Sequence, residues 1–348
     1  MKKRGIEMRA KKLMRESGYI TDLIYIFYRH YNKELLDQLL LQIGAEEHRL
    51  SEAALSNFSV TSDDLFVFFH AIKNNRSFFA KYFHHIKRSH FITDYNFAYV
   101  LNLLSNRSNV IKNLIKFYFY DLSPEEREVC MADNAALMKV IKASEYSPTE
   151  KNRLYEFFMD PDGHIQKLQE ELIETEKQLA LYYETHYGEA LELFSKMNLE
   201  ELVKKLNFFD LEQLEKTDLY VSFSLLNRGL ISYFGDETYT YLELGAGYEA
   251  SLNDLHKIVT TPEDLGTALC DKNRVKMLDL LLEKGEMTCK ELEQHFHFSA
   301  STAYHHLTTM QRCGVLSTRI SGKALYYSVN RPYFTEAIKM LGKYAQEE

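Results

Sequence analysis

Between Thr261 and Gly314 the chain marks where helices begin and end so densely that few folds can accommodate it. Thr261-Pro262-Glu263-Asp264 combines an N-cap hydroxyl, a first-turn proline and acids at a helix start, and Leu265 and Leu269 give that helix an apolar side. Val275, Leu278, Leu281 and Leu282 then recur at helical spacing and stop at Gly285, a C′ residue. Thr288-Cys289-Lys290-Glu291 has the form of a capping box for a short helix carrying Leu292 and Phe296. After a turn at His297-Phe298, Ser299 caps another helix, which runs to Arg312 and ends at Gly314. The spacing predicts a helix, a tight turn and a second helix.

On that second helix Ala303, Leu307 and Met310 fall at i, i+4 and i+7, so theirs is the buried side. Ser301, Tyr304, His305, Thr308 and Arg312 are therefore expected to face outward. Val315–Ile320 and Ala324–Val329 read as two strands around Ser321-Gly322-Lys323, a hairpin with a basic tip. A closing helix from Pro332 to Ala345 presents Phe334, Ala337, Ile338, Leu341 and Tyr344 at helical spacing, a wider apolar stripe than a small domain needs for its own core. From Gln294 to Thr335 there is no Asp or Glu, although the chain holds 50 acids in 348 residues. A surface that must approach phosphates is built this way.

Residues Leu269 to Asn330 resemble the winged helix-turn-helix of the ArsR/SmtB family of bacterial transcriptional repressors. The resemblance is carried by Asn273-Arg274-Val275, Cys289-Lys290-Glu291-Leu292, Ser301-Thr302-Ala303-Tyr304-His305-His306-Leu307, Gly314-Val315-Leu316, Gly322-Lys323 and Tyr326-Tyr327. It implies a homodimer that binds a pseudo-palindromic operator in double-stranded DNA and represses by occupying a promoter. In such a domain Ser299 to Arg312 would lie in the major groove, with Ala300, Ser301, Tyr304 and His305 nearest base edges. Thr302 and the helix N-terminus would hold a phosphate, Thr308 and Arg312 would extend the same face, and Arg319 and Lys323 would place the wing near the flanking backbone. The resemblance also implies that the first and last helices of the domain form the two-fold interface, which gives dimerisation to Phe334, Ile338 and Leu341. His306, beside the buried face, is expected to pack or hydrogen-bond within the domain.

The metal chemistry of the best-known family members does not carry over. Their ligands are a Cys-x-Cys in the third helix or Asp and His along the last; here Met287 and Cys289 stand in the first place, and the last helix has neither His nor Asp. One thiolate is too few for a soft metal site, so no metal and no cofactor is expected. Cys130, Cys270, Cys289 and Cys313, none closely paired, fit reduced thiols of a cytoplasmic protein. Met1 to Gly18 holds seven Lys or Arg without an apolar core segment, unlike a signal peptide, and is expected to be a solvated, frayed end. No uncharged run approaches the length of a membrane span.

Charge separates the rest of the chain from this region. Residues 257–348 hold 12 Lys or Arg against 11 Asp or Glu, which leaves 30 and 39 in residues 1–256. The expected architecture is mainly α: an all-helical N-terminal domain over 1–256, with room for two subdomains split near 160, and a winged helix-turn-helix over 257–348. Ser62-Asp63-Asp64, Ser123-Pro124-Glu125-Glu126 and Ser147-Pro148-Thr149-Glu150 are helix starts. Asp160-Pro161-Asp162-Gly163 reads as a turn, and a long helix from His164 carries Ile165, Leu168, Leu172, Leu179 and Tyr182 in an a/d-like register, a spine inside the domain in preference to a dimer helix.

Three further segments invite chemistry. Leu242-Glu243-Leu244-Gly245-Ala246-Gly247 is similar to the glycine loop of methyltransferases that use S-adenosylmethionine, but the helix and second strand such a loop requires have no room before the winged helix, so a strand and turn leading into a linker, Glu249 to Val259, is expected. His84, His85 and His90, among Lys87 and Arg88, read as a basic, exposed helix end. The aromatic runs Phe66 to Phe69, Phe78-Phe79 and Phe117 to Tyr120 belong in a core, yet with 24 Tyr and 22 Phe the chain can also line a pocket between helices for an apolar or aromatic effector. No nucleophile and base at recognisable spacing occur, and the expectation is a regulator and not an enzyme. An N-terminal catalytic domain or a protein-binding scaffold, each with the winged helix for recruitment, are the rival readings.

Overall fold

The computed structural model describes residues 11–40, 45–60, 62–72, 77–82, 87, 95–199, 201–202, 216–235, 238–255, 261–321 and 324–344. Their buried apolar side chains gather into two clusters, one drawn from Tyr19 to Leu252 and one from Leu265 to Ala337. The first cluster runs through residue 160 without a break.

Helices dominate the first part: α1 Arg15–Tyr31, α2 Lys33–Leu40, α3 Ala45–Leu55, α4 Phe66–Phe69, α5 Phe97–Ser105, α6 Arg107–Tyr118, α7 Pro124–Ala132, α8 Asn134–Ala143, α9 Pro148–Met159 and α10 Pro161–Lys196. Both serine-proline starts form full capping boxes, with the Ser123 hydroxyl accepting from Glu126 N–H at 3.1 Å and the Ser147 hydroxyl from Glu150 N–H at 3.3 Å. The segment read as a turn at Asp160 is instead the first turn of α10, because the Asp160 carboxylate caps Gly163 N–H at 3.0 Å and Pro161 already has the helical φ. Ile165, Leu168, Leu172, Leu179, Tyr183 and Ala190 of α10 are buried in the first cluster and Thr175 is buried beside them, so the helix is a spine, with Tyr183 and not Tyr182 continuing the register.

The all-helical expectation for this part is corrected by a four-stranded sheet. Strands β1 Lys11–Leu13, β2 Asp218–Ser224, β3 Ile231–Gly235 and β4 Tyr239–Gly245 lie in the order β1-β2-β4-β3, with β1 and β4 parallel to β2 and β3 antiparallel to β4. All but the first residue of β2 and of β4 are buried, so neither strand carries the alternation that marks a half-exposed strand. The basic start is likewise not frayed throughout: Lys11 donates to the Phe194 carbonyl at 2.9 Å, and Lys12 lies 5.5 Å from the Tyr220 ring. Helix α1 packs so closely on β2 that a Cβ on Gly18 would strike the Phe223 carbonyl.

The buried polar groups of this sheet are tied together. Asp22 of α1, fully buried, accepts from the Tyr183 hydroxyl at 2.6 Å, from the Ser224 hydroxyl, and from the N–H groups of Leu225 at 2.7 Å and Leu226 at 3.2 Å. Lys87, read as part of an exposed basic end, is instead 3% exposed and ion-paired with Glu243 of β4, and it also donates to the Thr21 hydroxyl at 2.9 Å. Burial pulls its ammonium pKa down and Glu243 opposes the shift. His84, His85 and His90 lie outside the described residues.

The strand expected at the glycine segment is the end of β4, and a turn follows it, but the presumed linker begins as helix α11, Tyr248–Leu255. The segment's glycines serve packing within the chain: a Cβ on Gly245 would meet the carbonyls of Asn227 and Arg228, and one on Gly247 the Glu47 carboxylate. That carboxylate is paired with Arg228 at 2.6 Å, and Arg228 pairs with Glu189 of α10 at 3.0 Å. Among the described residues no helix is long and apolar enough to cross a membrane.

Candidate nucleic-acid interface

The second cluster is built from α12 Pro262–Leu269, α13 Lys272–Lys284, β5 Glu286–Thr288, α14 Cys289–Phe296, α15 Ala300–Arg312, β6 Leu316–Ser321, β7 Ala324–Val329 and α16 Arg331–Gly342. Strands β6 and β7 pair from Leu316↔Val329 to Ser321↔Ala324, and β5, which the sequence reading missed, adds to the far edge of β7. Among the described residues these elements are five helices and a three-stranded sheet that contains the β6-β7 hairpin.

Each boundary has its chemical cause. Thr261 accepts from Asp264 N–H at 3.0 Å, and Thr288 and Glu291 form the reciprocal capping box. Asp271 caps α13 by accepting from Asn273 N–H at 2.7 Å and Arg274 N–H at 3.2 Å. The Arg274 guanidinium, 8% exposed, reaches back to the Ala268 carbonyl at 3.0 Å and the Thr267 carbonyl at 2.6 Å. It closes the carbonyl end of α12 while its own backbone starts α13, a role that sequence reasoning did not assign to Asn273-Arg274. The turn between α14 and α15 is made by His297 in the left-handed region at φ 54°, the one non-glycine residue so placed among those described.

Helix α15 buries Ala303, Leu307 and Met310 completely and leaves Tyr304 62% exposed. His305, Thr302, Ala300, Ser299 and Arg312 are exposed beside it, and Thr308 is half-buried at the edge of the face. The Ser299 hydroxyl accepts from Thr302 N–H at 3.2 Å and lies 2.8 Å from the Thr302 hydroxyl, so the helix opens on neutral donors with no acid in its first turn. An anion approaching that end meets the positive end of the helix dipole unopposed. The side chains of Ser301 and Arg319, and Lys323 as a whole, lie outside the described residues. His306 is 7% exposed, packed 5.5 Å from the Phe298 ring, and its buried Nδ1 has no hydrogen-bond partner among the described residues. Burial lowers its pKa, with Asp271 pulling the other way.

On α16, Tyr333 and Ala337 belong to the core, and Phe334 is half-buried against it. Ile338 at 71%, Leu341 at 43% and Tyr344 at 69% exposure form the uncovered remainder of the apolar stripe. Cys289 is half-buried with its thiol pKa raised by burial and by Glu293. No three His, Cys, Asp or Glu side chains among the described residues come together as metal ligands.

Residues 271–318 match the family model described as bacterial regulatory protein, arsR family. The chain is 34% identical over 74 residues to the transcriptional repressor SdpR of Bacillus subtilis, covering 21% of this chain and 81% of that one. It is 33% identical over 73 residues to the arsenical resistance operon repressor of Staphylococcus aureus, 21% of this chain and 69% of that one. To the probable mercury resistance operon repressor of Streptomyces lividans it is 36% identical over 73 residues, 21% of this chain and 58% of that one. All three matches cover about a fifth of the chain, and the family model falls on α13 to α15 and the start of β6. With four-fifths of the Bacillus subtilis repressor spanned at this identity, the chain belongs to the ArsR family of bacterial regulatory proteins.

Proposed function

We propose that the chain is a sequence-specific DNA-binding transcriptional repressor, with residues 257–348 reading the operator and residues 1–256 forming a separate unit that senses an organic effector. The observation that carries the reading is the outward face of α15: Ser299, Ala300, Thr302, Tyr304, His305 and Arg312 exposed, within a stretch free of acids from Gln294 to Thr335. Two separate apolar clusters support the division into units. The family's named repressors support the DNA partner. No catalysis is assigned to the chain, because the buried charged side chains among the described residues of the first part are engaged, Asp22 with hydroxyls and backbone N–H groups, Lys87 with Glu243 and Arg29 with Glu52. The direct test is selection of DNA fragments from a random pool by the purified full chain. Recovery of no common sequence at moderate salt would remove sequence-specific binding.

Two recognition helices reading a pseudo-palindrome must stand about one DNA turn apart, which needs a two-fold dimer. The uncovered Ile338 and Leu341 of α16, with Tyr344 just beyond it, supply a surface for it. Replacing both Ile338 and Leu341 by Glu is therefore expected to give monomers by light scattering, with operator affinity reduced at least about tenfold, since each half-site alone loses the linked second contact. A dimer that survives the double substitution would place the interface elsewhere.

A further inference from the structure

Away from the DNA-binding part, three helical segments surround an open cleft of about 330 Å3 in which flat apolar surface meets positive charge. Asn113, Lys116, Phe117 and Tyr120 line it at i, i+3, i+4 and i+7 along one side of α6 and the turn that follows. Phe78, Lys81 and Tyr82 line it from residues 77–82, and Arg127 from α7. The Phe78 and Tyr82 rings are stacked, 5.2 Å apart at 16°, and Phe117 meets Phe78 edge-on at 5.8 Å and 72°.

The cations are disposed unlike the rest of this part of the chain, which carries 39 acids against 30 Lys or Arg. Three of the eight lining residues are Lys or Arg and none is acidic. Lys81 and Lys116 are exposed and have no carboxylate partner among the described residues; the Lys81 ammonium stands 5.5 Å from the Phe117 ring centre. Arg127 donates through Nη2 to the carbonyls of Tyr120, at 3.2 Å, and Leu122, while its buried Nε has no acceptor among the described residues. Unpaired cations beside stacked rings gain most from a planar ligand with a negative end, because the rings accept its face and the cations its charge. The volume lies at the lower end of the range for small-molecule sites, about 300–1,000 Å3, which suits a single ring. A neighbouring cleft of about 830 Å3, sharing Tyr120, has the opposite character, with Asp121, Glu145 and Glu150 and no cation in its lining.

We infer that the smaller cleft binds a small aromatic carboxylate, its ring on Phe78, Tyr82 and Phe117 and its carboxylate toward Lys81, Lys116 and Arg127. The inference rests on the sensing role proposed above and gives the effector a chemical class and a place. It is tested on the full chain by calorimetric titration with benzoate, phenylacetate and cinnamate, with neutral benzyl alcohol and cationic benzylamine as comparisons. The carboxylates are expected to bind saturably and at least about tenfold more tightly than benzyl alcohol, and to weaken at least about tenfold in a Lys81→Ala, Lys116→Ala double variant. Both lysines are exposed, so the variant should melt as the parent does. Absence of saturable binding for all three carboxylates, equal binding of benzyl alcohol, preference for benzylamine, or undiminished carboxylate binding in the double variant overturns the assignment. Operator affinity measured in the same samples separates the two readings. Lysine-dependent carboxylate binding without any change in DNA affinity upholds the cleft and removes sensing, whereas DNA release by a compound that acts equally on the double variant upholds sensing and removes the cleft.

Discussion

A Tyr304→Ala, His305→Ala double variant is expected to fold normally and to lose its preference for the operator. Both side chains leave α15 outside the face that carries Ala303, Leu307 and Met310, which are fully buried; Tyr304 is 62% exposed and His305 is exposed. Removing them therefore opens no cavity, and the melting transition should move by no more than the about 0.5 kcal/mol typical of surface changes. Contacts from such positions to base edges are each worth about 1–3 kcal/mol of discrimination, so losing two should cut the ratio of specific to nonspecific binding by roughly thirtyfold to twenty-thousandfold. Binding to random DNA should persist, because the cations proposed to meet phosphates and the N-terminus of α15 are untouched, and the dependence of affinity on salt should keep its slope. Competition binding between selected and random fragments reads the first effect and a salt titration the second. A double variant that still prefers the selected sequence as strongly as the parent would show that another surface reads the bases.

The exposed face of α15 was legible because everything that fixes it is local. Ser299 caps within three residues, Thr288 and Glu291 bond reciprocally across three, and the buried side of α15 repeats at helical spacing. What escaped notice even there needed a partner farther away: β5 exists only by pairing with β7, and the Arg274 clamp is visible only once α12 and α13 meet. In the first part the same limit is severe. Lys11–Leu13 becomes a strand by pairing with Leu219–Val221, and Lys87 looks like a surface cation until Glu243, 156 residues on, is brought against it. The inner strands β2 and β4 are buried on both faces, which erases the alternation that would have announced them, and only the end of β4 was expected as a strand, from the glycine turn beside it. The apolar register of α10 was readable because a helix repeats its own pattern, but the sheet it lies near is assembled from distant segments, and single-sequence periodicity carries no information on that pairing.

Replacing Asp22 by Ala is expected to be the most damaging single change in the first part of the chain. The carboxylate has no exposed surface and accepts four hydrogen bonds, from the hydroxyls of Tyr183 and Ser224 and from the N–H groups of Leu225 and Leu226 just beyond β2. An alanine leaves two buried backbone donors and two hydroxyls without their acceptor, and each orphaned group costs about 1–3 kcal/mol. Even with partial rearrangement a loss of about 3–5 kcal/mol follows, a large share of the about 5–15 kcal/mol by which domains are stable. The pH dependence carries a second signature. Burial raises the pKa of Asp22 to about 6, with the hydroxyls of Ser224 and Tyr183 and the N–H groups of Leu225 and Leu226 restraining the shift. The native state therefore binds this proton more tightly than the unfolded chain, whose carboxyl titrates near 4, and the contribution of Asp22 to stability falls as pH rises between about 4 and 6. In Asp22→Asn the side chain does not titrate, and its amide resembles the protonated acid in offering one acceptor oxygen and donor hydrogens. Denaturant unfolding of parent and Asn variant across pH 4 to 7 should accordingly show the parent's stability relative to the variant declining through that window. A difference that stays constant, or that grows as the pH rises, would mean that the four donors outweigh burial and hold the carboxylate below its ordinary pKa.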